Sequence, residues 1–482
     1  MPPRDCLRGP TVITGQLRRR LPEPPIAARP APHRCGILGR RQSTEAGARS
    51  LAPEGEVKYL AIAIAASLAA FTAVAMAGAP AFDSRTLVSV GFINIYAFDL
   101  VVGLAVLALL VVSAFYFEPD PVPLNRLVIW LCLVFLGYEF LVVLPAAVLL
   151  HGLRAFDVVR LLEYRLDLLL VLVLYTVVLR FISLDLLVTV FDVAAAGLAL
   201  WIVYRYVAVG PTGQWEDGVF RLRVAWGGSS LLFCWLILSS LFYWPVRLWR
   251  LVLAIAAAAA VVMTNHRSAF LALLAALIVQ VLASGRITRR VALALAAVAV
   301  MGIGVYYASP TVRDSVSYSL RTMFNPNADM TSQDRVVRSV MSLAYFAKHP
   351  FGDYIWNQRY YLVQVTFSFP PHNFVVQRLV TQGVIGSALF FAVIGVTIVL
   401  GWRNRRDRCS AFCLTYLALY LVFCSLNANI DLRENQALFA VAVAMILARN
   451  RSLREAAAEP QEGSQATARL PQQAIRLEGH PM

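Results

Sequence analysis

The stretch Val246–Ser284, VRLWRLVLAIAAAAAVVMTNHRSAFLALLAALIVQVLAS, decides how this chain must fold. Two apolar runs, 246–264 and 267–284, are separated only by the polar junction Thr264-Asn265-His266-Arg267-Ser268. A helix needs about 20 mainly apolar residues to cross the hydrocarbon core of a bilayer. Each run is close to that length, so the pair reads as two successive membrane spans joined by a tight turn.

The rest of the chain has the same character. Of its 482 residues 59% are hydrophobic, 11% aromatic and only 15% charged. A soluble protein is nearer 45–50% apolar and about 25% charged. Those proportions exclude a soluble enzyme, a nucleic-acid module and a disordered scaffold. The formal net charge of +15 does not point to DNA, because the basic residues are spread thinly between apolar runs. Lys58 and Lys348 are the only lysines, so nearly all of that charge is arginine.

The same length criterion applied from end to end gives an all-α polytopic membrane protein of about twelve spans: 57–79, 92–117, 125–149, 158–180, 185–208, 223–244, 246–264, 267–284, 291–308, 373–400, 410–429 and 433–448. Arginine placement orients them. With the N-terminus inside, fourteen arginines fall at inner ends (126, 180, 247, 250, 286, 289, 290, 403, 405, 406, 408, 449, 451 and 454). Six fall at outer ends: Arg85, Arg154, Arg221, Arg223, Arg267 and Arg433. Both termini are therefore expected in the cytoplasm of a bacterial cell, with the protein in the inner membrane.

Three segments lie outside the spans. Residues 1–56 carry ten arginines against five acids, many prolines and no apolar periodicity, and read as a disordered basic segment without a signal peptide. Residues 449–482 read as a disordered cytoplasmic tail. Between them, the single long loop 309–372 separates spans 57–308 from spans 373–448 and falls on the periplasmic side. Loops of this length are uncommon unless functional. Its aromatic residues, including Tyr345, Tyr354, Trp356, Tyr360 and Tyr361, suit sugar stacking, with interfacial anchoring as the competing reading. Thr331-Ser332-Gln333-Asp334 opens a helix by a capping-box-like start. Val336, Val337, Val340, Met341, Ala344 and Ala347 then form one apolar stripe, resting on the membrane or the bundle, with Arg335, Arg338 and Ser342 opposite.

Charged groups inside spans are costly, so Asp99, Glu139, Arg160, Glu163, Arg165 and Asp167 are each candidates for pairing or function. They read as an ion-pair network joining spans two to four, or as the lining of a substrate cavity. The seven cysteines (6, 35, 132, 234, 409, 413 and 424) show neither a disulfide framework nor zinc-site spacing, and read as packing residues. No cofactor and no metal are expected.

Two junctions stand out for chemistry. Arg267 opens an apolar helix on the outer side, against the inside bias, where free backbone N–H groups also make a good anion site. At the end of the loop, Pro370-Pro371-His372-Asn373-Phe374 places an imidazole at the membrane surface, with Asn373 as a helix cap. Both histidines, His266 and His372, are also compatible with a purely interfacial role.

The run Met263–Phe270, the pattern Asp334-Arg335 to Lys348-His349-Pro350-Phe351-Gly352, and His372-Asn373-Phe374 leading to Gly383-Val-Ile-Gly386 together resemble the O-antigen ligase and polymerase superfamily. The resemblance covers about 185 residues, from span seven to span ten. It implies a metal-independent inverting glycosyltransferase that moves a glycan from an undecaprenyl-diphosphate donor to a glycan or lipid-linked acceptor. By that resemblance Arg267 and Arg335 hold the donor diphosphate, and His372 activates the acceptor hydroxyl. Arg338, Arg165, Asn373 and Tyr360 are further substrate-binding candidates. The chain departs from many relatives in having Ser268 where they have glycine after the arginine, and Asp353-Tyr354 where they have a second glycine after Gly352. The competing class is a transporter or flippase of lipid-linked sugars, which the intramembrane charges would suit. No internal repeat or pair of broken helices supports it.

Overall fold

The computed structural model describes residues 54–77, 88–90, 93–95, 120–151, 166–210, 213–216, 219–222, 228–285, 309–324, 330–352, 373–426 and 433–474, with isolated helical positions between 292 and 307. In chain order, α1 (Glu54–Met76) is followed by a hairpin of β1 (Val88–Val90) and β2 (Ile93–Ile95). Then come α2 (Pro123–Tyr138), α3 (Leu144–His151), α4 (Asp167–Val173), α5 (Leu179–Phe181) and α6 (Leu184–Val209). A second hairpin, β3 (Gly213–Glu216) and β4 (Val219–Leu222), leads to α7 (Ser229–Leu238), α8 (Leu248–Thr264) and α9 (Arg267–Ser284). The loop region holds α10 (Pro310–Phe324) and α11 (Met330–Lys348), and the chain ends with α12 (Phe374–Arg403), α13 (Arg408–Ser425) and α14 (Arg433–Ala474).

The architecture is helical, as expected. Six described helices are long and apolar enough to cross a membrane: Val57–Met76, Pro123–Leu149, Leu184–Val209, Arg267–Ser284, Phe374–Arg403 and Arg408–Ser425. Two shorter apolar helices, Ser229–Tyr243 and Leu248–Thr264, pack among them. Helices that are apolar all round belong in the middle of a bundle. Every residue of α4 and of α7 is buried, as is every residue of α14 from Ala437 to Leu447. The helices around them bury narrower faces, such as Ala254, Ala257 and Ala260 of α8 and Ala269, Ala272 and Ala276 of α9.

Local chemistry sets the element ends. Ser183 caps α6 by accepting from Leu186 N at 3.2 Å, and Asp407 caps α13 by accepting from Ser410 N at 3.0 Å. Ser309 and Pro310 start α10, the proline at a first-turn position where no N–H is needed. Three helices widen into π-turns, at Glu139–Val143, Leu174–Val178 and Ser239–Tyr243.

Several expected boundaries move. Span two was expected from 92, but Ile93–Ile95 pairs with Val88–Val90 in a β-ladder, because a β-branched run around a two-residue turn favours a hairpin. Likewise Val219–Leu222 pairs with Gly213–Glu216, and span six begins at Ser229 rather than 223. Span four, expected from 158, is described only from 166, with its helix starting at Asp167. α14 does not stop at 448; its helix runs to Ala474, with the arginine-, glutamate- and alanine-rich turns after 448 supported by an Arg451–Glu455 pair one turn apart. Span nine, Asp99, and Arg160 to Arg165 lie wholly or largely outside the described residues.

One end of the bundle gathers the arginine-rich helix termini. Arg449 donates to Asp407 at 2.7 Å, Tyr243 to Asp185 at 2.6 Å, and Asn450 to Asn125 at 2.8 Å. Arg250, expected as a topology-setting charge, is buried instead and pairs with Asp192 at 2.5 Å, its guanidinium over the Trp244 and Trp249 rings. Asp192 also accepts from Ser239 and Trp244, so its oxygens are well satisfied.

Candidate functional site

The candidate site lies at the opposite end, where the turn between α8 and α9 meets the loop helices. Helix α8 stops because Asn265 adopts a left-handed conformation, φ 46° and ψ 43°, the one non-glycine residue with positive φ among the described residues. Asparagine tolerates that region better than most side chains. The amide of Asn265 donates to the backbone oxygen and Oγ of Ser315 at 3.1 and 2.5 Å, which ties the turn to α10. Two residues on, half-buried Arg267 opens α9, where the first-turn N–H groups add a positive field.

His266 and Ser268 bracket this arginine. His266 Nδ1 lies 2.7 Å from Ser268 Oγ, and its ring sits 5.5 Å from that of Phe423 near the end of α13. Ser268 is buried and holds the imidazole in place. On this geometry His266 orients the turn.

Arg335 arrives at the same helix end from α11. Its Nη1 donates to Leu426 O at 3.3 Å, at the C-terminus of α13, where a carbonyl lacks an intrahelical partner. Phe423 and Leu426 are one turn apart. The turn bearing Arg267 and the helix bearing Arg335, 68 positions apart in sequence, therefore both abut the last turn of α13.

The orientation of α11 corrects one of the two expectations for its apolar stripe. Val336, Val337 and Val340 are 62%, 46% and 59% exposed, while Ser342 is buried and Arg338 has Nε and Nη1 shielded from solvent. The polar face, not the stripe, turns towards the bundle. The bundle surface here is itself polar, so an arginine face finds acceptors that a valine face would bury. The stripe is left outward, away from the bundle.

The far end of α11 docks into a break in α12. Gly383 has φ 66° and ψ −172°, interrupting the helix. The N–H of Val384 thereby loses its helical acceptor and donates to Pro350 O at 2.9 Å. Gly352, with φ 90°, lies so close that a Cβ there would stand 2.5 Å from Gly383 N, and a Cβ on Gly383 would stand 2.2 Å from the Phe351 carbonyl. Two sequence motifs, His349–Gly352 and Gly383–Gly386, are thus one contact.

Beneath the break sits a polar cluster in which Arg378 and Gln382, not singled out in the sequence, join Glu139 and Asp167. Gln382 donates to Glu139 at 2.7 Å, and its carbonyl accepts from Tyr138 at 3.1 Å. Arg378, 1% exposed, pairs with Asp167 at 2.5 Å and lies 4.5 Å from the Phe390 ring centroid. Of the carboxylates expected in an ion-pair network of spans two to four, Asp167 pairs with Arg378 and Glu139 accepts from Gln382, both on α12, while Arg160, Glu163 and Arg165 lie outside the described residues. A charged residue inside span 373–400 was the available signal for Arg378.

Asn373 caps α12, its Oδ1 accepting from Val375 N and Val376 N at 2.9 and 3.2 Å. His372, Tyr360 and Arg165 lie outside the described residues, as do Tyr354, Trp356 and Tyr361. Among the described residues no three His, Cys, Asp or Glu side chains group as a metal-ligand set.

Comparison with known proteins bears on this region directly. No curated protein and no solved structure matched the chain. Residues 251–391 match a family model described as O-antigen ligase. The matched segment runs from α8 through the first half of α12, and so contains Arg267, Arg335, the α11–α12 junction and His372. Over residues 251–391, then, the chain is similar to the O-antigen ligases, which supports the resemblance drawn from its motifs.

Proposed function

We propose that this protein is a membrane glycosyltransferase that moves a glycan from an undecaprenyl-diphosphate donor to an acceptor sugar in surface-polysaccharide synthesis. The observation that carries the reading is that the Arg267 turn and the Arg335 helix, both inside the matched segment, meet at the end of α13. Cleaving a sugar–diphosphate bond leaves negative charge on the departing phosphate oxygen. Guanidinium groups stabilise such charge bidentately, and a helix N-terminus adds to the field.

In the reaction proposed here, the acceptor hydroxyl attacks the anomeric carbon opposite the leaving diphosphate. The new C–O bond forms as the bond to the diphosphate breaks, the anomeric configuration inverts, and the hydroxyl proton passes to His372. Arg338 supports Arg335 one turn along the same helix, and Tyr360 offers a ring for sugar stacking. This chemistry takes place on the periplasmic face, with both termini in the cytoplasm.

Reconstitution into liposomes with a lipid-diphosphate oligosaccharide and a glycan acceptor tests the reading. Release of lipid diphosphate coupled to glycan transfer is expected. Arg267→Ala or Arg335→Ala should each lower transfer by about 10²–10³-fold, and His372→Ala by about 10²–10⁴-fold, with membrane insertion unchanged. Movement of intact donor across the bilayer without release of lipid diphosphate would replace the enzyme by a transporter.

A further inference from the structure

A second charged site lies at the arginine-rich end, away from the junction just described. A cavity of about 260 Å³ opens there between the start of α2, the end of α12 and α14. Arg403, Asn404, Asn450 and Arg454 line its polar side, and Val122 and Leu400 its apolar side.

The two arginines differ from several others at this end in lacking a partner among the described residues, and from exposed Arg406 and Arg408 in lining the cavity. Arg449 is paired with Asp407, Arg451 with Glu455 and Arg250 with Asp192. Arg403 and Arg454 are exposed and have no ion pair or hydrogen-bond partner among the described residues. The amides behind them are fixed: Asn404 donates to Asn450 at 2.9 Å, and Asn450 to Asn125 at 2.8 Å. Asn125 in turn donates to Leu447 O at 3.0 Å, bonds to Tyr175, and contacts the buried Asp120 carboxylate at 3.4 Å, which is also held by Val122 N. The cavity is thus a formed recess lined by two arginines that have no direct ion pair among the described residues, with the Asp120 carboxylate held behind it by its own hydrogen bonds.

Its size and surroundings select the ligand. At about 260 Å³ it is smaller than the clefts of about 300–1,000 Å³ that take drug-sized molecules. A phosphate headgroup fits where a nucleotide or oligosaccharide does not. One or two turns from the cavity towards the middle of the bundle, α2 exposes Leu127 and Trp130, 44% and 64%, and α12 exposes Val399, 51%. That apolar flank suits acyl chains. By the positive-inside rule this end faces the cytoplasmic leaflet, which carries anionic lipid.

We propose that Arg403 and Arg454 bind the phosphate of an anionic diacyl phospholipid, with the cavity taking the headgroup and the α2–α12 flank the chains. The site is independent of the transfer reaction proposed above. Native mass spectrometry of the full-length protein in neutral detergent, with phosphatidylglycerol or phosphatidylcholine added, tests it. The wild type should retain phosphatidylglycerol at least tenfold better than phosphatidylcholine. Arg403→Gln/Arg454→Gln should lose about thirtyfold of that retention, on the scale of two basic residues at an anionic surface. Arg403→Lys/Arg454→Lys, and Arg247→Gln elsewhere at this end, should keep most of it.

Equal retention of phosphatidylglycerol by the double glutamine variant would overturn the assignment, as would an equal loss in Arg247→Gln. So would thermal stabilisation by inorganic phosphate that needs both arginines without any retention of phosphatidylglycerol, which would make this a soluble-anion site.

Discussion

At the scale of single residues, the strongest energetic constraint is the Arg378–Asp167 pair. Both side chains are almost wholly buried, so neither charge has water to fall back on. Removing one partner from such a pair costs about 3–5 kcal/mol, whereas replacing both by apolar groups of similar size is often neutral. Arg378→Met alone should therefore lower the unfolding midpoint in detergent markedly. Arg378→Met with Asp167→Leu should recover most of it; a double variant as unstable as the single would show that packing rather than charge dominates. A second residue-scale prediction concerns Asp407. Burial alone would raise its carboxyl, but hydrogen bonds from Arg449 and from Ser410 outweigh it and hold the group below the ordinary carboxylate range. A depressed carboxyl stabilises the fold above its unfolded pKa of about 3.9, and that contribution is lost as pH falls through the lower folded value. Thermal unfolding followed below about pH 4 should fall more steeply in the wild type than in Asp407→Asn, which has no proton to gain.

At the scale of elements, the break in α12 governs where α11 can sit. Gly383 is required twice over: by its positive φ, which disfavours any L side chain, and by the carbonyl of Phe351 lying where a Cβ would be. Gly383→Ala should push the end of α11 away and cost the Val384–Pro350 hydrogen bond. Because α11 carries Arg335, we expect transfer to fall at least tenfold while the spans remain inserted. Faster protease nicking after Lys348 would report the detached helix directly. Unchanged activity and nicking would mean that α11 is held by its polar face alone. That face, with Arg335 on Leu426 O, is why an amphipathic pattern in the sequence was read correctly as a helix and left open as to which side it packs. Periodicity reports that two faces differ; it does not report whether the surface beneath is lipid, apolar helix or polar site.

For the whole molecule, the testable quantity is sidedness. Gln333 lies exposed on α11, so a cysteine placed there should react with a membrane-impermeant maleimide added to the outside of cells. A cysteine at Arg454 should react only after the membrane is opened. Cys132, Cys234, Cys409, Cys413 and Cys424 are all buried and should stay unreactive in the folded protein, so a Cys6→Ser/Cys35→Ser background suits both labels. Labelling of position 333 only from the inside would invert the orientation and move the site proposed here to the cytoplasm.

The sequence by itself determined that this is a helical membrane protein, that its arginines cluster at particular helix ends, and that its motifs resemble those of the O-antigen ligases. Those properties follow from apolar run lengths, charge placement and local motif order, all of which are written within short windows. The partners of the buried charges were not legible there. Glu139 reaches Gln382 across 243 positions and Asp167 reaches Arg378 across 211, because a charge in an apolar bundle pairs with whichever helix stands beside it. Only the tertiary packing decides that neighbour. The same holds for Gly352 against Gly383, and for the inward turn of the Arg335 face: sequence supplied the residues, and helix packing supplied the contacts that give them a use.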